Sequence, residues 1–204
     1  MLENNDREKI QEYVEQILKS IFSSVEKNIE SGMPNQDVID SAVKLTVNKL
    51  TPESKMILSS VYNMLMEKTL AKPLYHSVQN KAAFYSRDIF KDLNTKFSFE
   101  VPAYIDYEES KSLINKWAVA GAICVGGGVV SITMKNAIPI VIAVVIAGIM
   151  LYLLRNKPAT ETNQDISALI KEYLKNVKAT MMSWVDEIST YYDGEVKELE
   201  KGMI

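Results

Sequence analysis

The sequence predicts an all-α protein in which amphipathic helices flank a hydrophobic two-helix transmembrane hairpin. Three observations carry this. Apolar residues recur at three- and four-residue steps through most of the first half of the chain, two uncharged runs fill most of residues 117–154, and a heptad repeat follows them. All 26 acids, and every one of the 23 basic residues except Lys135, lie outside 117–154. The predicted organisation is an N-terminal helical region (1–116), the hairpin (117–154) and a C-terminal amphipathic, coiled-coil-like helix (155–204) packing with the N-terminal region.

In the first helix Ile10, Tyr13, Val14, Ile17, Leu18, Ile21, Phe22, Val25 and Ile29 form an apolar stripe opposite Glu12, Glu15, Lys19 and Glu26. Ser31, Gly32 and Pro34 end it. A second helix is predicted from about Asn35 to Leu50, and Thr51-Pro52-Glu53 reads as the start of a third, with threonine capping and proline in the first turn. Pro73 stops or kinks that helix. A fourth is predicted from about His76 to Leu93, carrying Phe84, Ile89 and Phe90. Residues 94–105, with alternating Phe97, Phe99 and Val101, fit either an extended segment or a loop. The segment from Asp106 to Lys116 has acids first and lysines last, the order a helix dipole favours, and is expected to run into the first apolar arm.

The two arms are Trp117–Met134, with 18 uncharged residues, and Asn136–Leu154, with 19. At a rise of about 1.5 Å per residue, 18 residues span about 27 Å, close to the roughly 30 Å of a bilayer core. Lys135 and Asn136 form the turn, and Pro139 falls in the first turn of the second arm. Ala118, Ala122 and Gly126 on one arm and Ala143 and Ala147 on the other are small residues four apart, with Gly127 beside them, which lets two backbones approach closely in lipid. Trp117 and Tyr152 stand near one face, as interfacial anchors do. Lys111, Lys116, Arg155, Lys157 and Lys171 outnumber Lys135, so the positive-inside rule predicts a two-span membrane protein with both termini cytoplasmic. The charged first residues do not read as a secretory signal. The competing arrangement is a hairpin buried inside a water-soluble bundle, which requires amphipathic helices to cover it on all sides.

Beyond the polar linker RNKPATETN, Ile170, Val177, Trp184 and Tyr191 are spaced by seven, and Leu174, Met181 and Ile188 form a second series. This seam reads either as the buried stripe of one more bundle helix or as a coiled coil joining two copies of the chain. Asp193-Gly194 is expected to end or bend the helix.

Catalytic chemistry finds little support. The chain has one cysteine and one histidine, too few for an internal disulfide or a histidine-rich metal site. Gly121–Gly127 has glycines at phosphate-loop spacing but lacks the lysine and hydroxyl residue such a loop needs. His76 has no partner ligand nearby in sequence, and Cys124 sits in an apolar arm where burial disfavours the thiolate. The pairs Glu108/Glu109 and Asp186/Glu187 point about 100° apart on a helix and do not converge. No cofactor, metal, small-molecule substrate or nucleic acid is expected, the last because the net charge is −3 and no basic patch interleaved with aromatics appears.

Two functions follow as expectations. One is a non-enzymatic integral membrane protein whose cytoplasmic helices bind a protein partner or self-associate, with the lipid bilayer as its other partner. The other is a membrane-permeabilising effector whose hairpin inserts on a trigger. Amphipathic helices around a near-chargeless hairpin give a layout that resembles the pore-forming domain of colicins over the whole chain, without any specific motif. It departs from that pattern in residues 155–204, where colicins have only a short final helix.

Overall fold

The computed structural model describes residues 2–97 and 163–203. Among these residues the structure is helical and contains no strand, as the periodicity predicts. Helix α1 spans Asn4–Glu30, α2 Asn35–Leu70, α3 Val78–Ser86, α4 Ile89–Phe97 and α5 Asn163–Glu200, with a 3-10 turn at Pro73–His76. The three long helices form one bundle. The Asn28–Ser41 hydrogen bond and the ion pair of Lys68 with Asp6 set α2 antiparallel to α1, and the pairs Arg7–Asp186 and Glu15–Lys178 do the same for α5.

The stripe read in α1 is the core stripe: Ile10, Val14, Ile17, Leu18, Ile21, Val25 and Ile29 are all buried. The helix ends in a Schellman arrangement. Gly32, at φ 76°, donates its amide to Ile29 O, and Met33 donates to Asn28 O, which satisfies carbonyls left over at the helix end.

The second and third predicted helices are one helix. Pro52 sits inside α2 and removes one backbone donor, yet the chain stays helical. Thr51 Oγ1 donates to Val47 O at 2.8 Å and Ser54 Oγ to Thr51 O at 2.9 Å, bonding two carbonyls that precede the proline. Leu50, Ile57, Val61 and Leu65 continue one buried stripe across it, and burying such side chains is worth about 1.5–3 kcal/mol each, enough to offset a proline cost of about 3 kcal/mol. The predicted fourth helix is instead two. Asp88 adopts φ 48° between α3 and α4, and its side chain and carbonyl accept from Lys91 N, so the residue that breaks one helix starts the next. Asn94–Phe97 then complete α4, and Phe97 is buried.

α5 passes through Asp193-Gly194 without ending there and continues to Glu200. Tyr192 and Val196, buried on either side, hold this stretch against the bundle. Four buried polar side chains among the described residues have partners: Thr46 donates to Ala42 O, Ser54 to Thr51 O, Thr69 to Leu65 O, and Ser189 Oγ accepts from Leu2 N.

The assignment to a two-span membrane protein with cytoplasmic termini is corrected. No helix among the described residues is long and apolar enough to cross a membrane, because α1, α2 and α5 each carry charged residues along an outer face. The predicted hairpin residues Trp117, Ala118, Ala122, Gly126, Gly127, Lys135, Pro139, Ala143, Ala147 and Tyr152 lie outside the described residues, as do Cys124, Glu108 and Glu109.

Candidate functional site

The C-terminal seam is spent inside the chain. Ile170, Leu174, Val177, Met181, Trp184 and Ile188 are all buried in the core shared with α1 and α2, and Tyr191 is half-buried against Phe97. The coiled-coil pattern is therefore met by helices of the same protomer, and a second copy would reach these side chains only by opening the bundle. Of the other residues weighed for chemistry, His76 is exposed at the end of the 3-10 turn. Asp186 is engaged by Arg7, whose Nε and Nη2 donate to its two oxygens at 2.9 Å. No group of three or more metal-ligating side chains occurs among the described residues.

The far end of the bundle is closed by the 3-10 turn, α3 and α4. Tyr75 and Phe84 meet edge to face at 5.7 Å between ring centres, and Tyr62 contacts both Phe90 and Tyr192. Tyr192 donates to Thr69 Oγ1 at 3.0 Å. Burial pushes the Tyr75 phenol up to about 12, and it raises Tyr192 as well. Charges around this end are matched: Arg87 pairs with Glu195 and Asp92, and Lys72 with Glu200.

One surface is different. Between α1 and α5 runs an open groove of about 350 Å³, lined by Leu18, Phe22 and Leu174 with charged residues along its walls. Those walls are Glu15 and Lys19 of α1 and Lys171, Lys175 and Lys178 of α5. The three α5 lysines follow one helix face at i, i+4 and i+7. Lys178 donates to Glu15 at 2.6 Å, and this bond, together with one from Gln11, holds the Glu15 carboxyl below the usual carboxylate range. Lys171 Nζ lies 5.1 Å from the centre of the Phe22 ring. Among the described residues no acid pairs with Lys19, Lys171 or Lys175.

Sequence reasoning missed this groove. The 171/175/178 spacing was visible, but Lys19 and Phe22 lie some 150 positions earlier, and only the antiparallel pairing of α1 with α5 brings them opposite the lysine row. Comparison of the chain with protein-family models, with curated proteins and with solved structures finds no match.

Proposed function

We propose that this chain works without covalent chemistry of its own, as a helical interaction module whose bundle docks a protein partner. The observation that carries this reading is the α1/α5 groove, an apolar floor walled by lysines of one sign on a bundle whose other helix contacts are sign-matched. Docking of a partner is favoured over self-association through the heptad seam, because that seam is already covered within the protomer. The test is photocrosslinking in cells from single photoreactive residues placed at Lys175, Met56 and Tyr85, all exposed. A discrete protein adduct from at least one position supports the module; absence of adducts from all three overturns it.

A second reading rests on residues 117–154, whose only charge is Lys135: a membrane-permeabilising effector whose apolar arms insert on a trigger. Purified chain added to dye-loaded liposomes at neutral and acidic pH decides it. Release that is lost in Gly127→Leu supports insertion, and an intact dye load at both pH values removes it.

A further inference from the structure

The α1/α5 groove gathers charge of one sign beside apolar side chains. The chain carries a net charge of −3, yet four lysines and a single glutamate wall this one cleft. Like charges spaced four apart on a helix destabilise it by a few tenths of a kcal/mol per pair, about 0.2–0.5. Elsewhere on the same helix Asp186, Glu195 and Glu200 each face a cation from another element, whereas Lys171 and Lys175 face no acid among the described residues. Within the row Lys178 is paired with Glu15 and Lys171 stands over the Phe22 ring, so the charges left without an acid among the described residues are those of Lys171 and Lys175, with Lys19 across the groove. Unmatched charge of one sign gathered beside an apolar floor is where a binding surface of opposite charge is expected.

We infer that the α1/α5 groove takes an acidic amphipathic helix of a partner protein, laid between the two helices; this rests on the interaction-module reading and names the chemistry of its partner. Three features select that occupant. The cleft lies between antiparallel helices, the concave track into which a further helix packs ridge into groove. Lys171, Lys175 and Lys178 cover two helical turns, about 10.5 Å, so carboxylates at i, i+4 and i+7 of a partner helix face them in register. The floor is apolar, formed by the half-buried Phe22 beside Leu18 and Leu174, and so suits the apolar stripe of such a helix. Phe22, half-buried beneath the Lys171 ammonium, supplies the aromatic edge of the anchor site.

The experiment titrates the full-length chain against a fluorescent three-heptad synthetic helix carrying leucine on one stripe and glutamate beside it. Controls are a scrambled helix of equal composition, a helix with every glutamate replaced by lysine, and phosphatidylcholine vesicles with and without phosphatidylglycerol. The acidic helix is expected to bind, and Lys171→Glu with Lys175→Glu to weaken it about tenfold, the sum of two lost attractions and two new repulsions at a surface. The reversed protein is expected to gain affinity for the lysine helix. Thermal unfolding of the double variant checks that the bundle is intact; both lysines are exposed, so it is expected to be. Equal binding by wild type and reversed protein, absence of binding by the acidic helix, or binding only to the anionic vesicles overturns the assignment. Failure here with crosslinks persisting from Met56 or Tyr85 removes the groove and leaves the module; loss of all crosslinks removes both.

Discussion

α5 buries its inner face along both halves, from Ile170 and Val177 to Ile188 and Val196, while its outer face changes character midway. From Asp186 onward the outer residues are tied to other elements: Asp186 to Arg7, Tyr191 to Lys96, Glu195 to Arg87 and Glu200 to Lys72. From Lys171 to Lys178 the outer face is a lysine row beside an open cleft, and only Lys178 has an acid partner among the described residues. The same helix therefore shows what a bundle needs and what it does not. Inner-face burial is common to both halves and accounts for the fold, while Lys171 and Lys175 have no acid partner among the described residues; the proposed docking of an acidic helix would give them one.

This contrast can be broken at its strongest point first. Trp184, 3% exposed, lies where the two halves meet, and Trp184→Ala is expected to cost about 3–5 kcal/mol of stability in denaturant unfolding. Because the seam is internal, the variant should unfold; an intact fold with altered oligomeric state on a sizing column would restore the coiled-coil reading.

The tyrosine-closed end answers to alkali. Tyr75 has its folded pKa raised to about 12, so the stability it contributes is complete below the unfolded value near 10 and is lost as pH rises from about 10 to 12. Tyr192, raised by burial, adds to the same loss. Denaturant midpoints should fall across that window, and Tyr75→Phe, which has no proton to lose, should flatten the decline. An identical slope in the variant would exclude Tyr75 as its source.

Gly194 sharpens the contrast from the stabilising side. It lies inside α5 in a helical conformation, and a Cβ there would meet nothing within 4 Å. Gly194→Ala should add about 0.5–1 kcal/mol, read as a higher melting temperature. Smallest is the effect at the groove, where Lys175→Glu relieves like-charge crowding and should stabilise by a few tenths of a kcal/mol, about 0.2–0.5, at low salt, and less in high salt. A loss of stability there would mean that the lysine row serves the fold after all.

Much of this architecture was legible in the residues. The stripes of α1 and α5 could be read because a 3.6-residue period holds over many turns without a break, and every seam residue through Ile188 is buried. Punctuation was less reliable. Pro52 reads as a helix start because proline favours first turns, but continuous burial from Leu50 to Leu65 overrides it. Gly194 reads as a stop for the same kind of local reason and is overridden by Tyr192 and Val196. Asp88 gave no warning: a break at a left-handed aspartate between two short helices follows from where α3 and α4 must lie against α2 and α5, which no local preference encodes.

Periodicity by itself determined that the described chain is helical and which faces of α1 and α5 turn inward, because apolar burial at helical spacing is a property of each segment alone. Only the tertiary structure decided that the heptad seam is satisfied within one protomer, that Pro52 and Gly194 stay helical, and that Lys19 and Phe22 stand across a cleft from Lys171, Lys175 and Lys178. Each of those outcomes depends on which helix packs against which, and in what direction. That choice is made by the summed burial of three long helices and not by the residues nearest the feature.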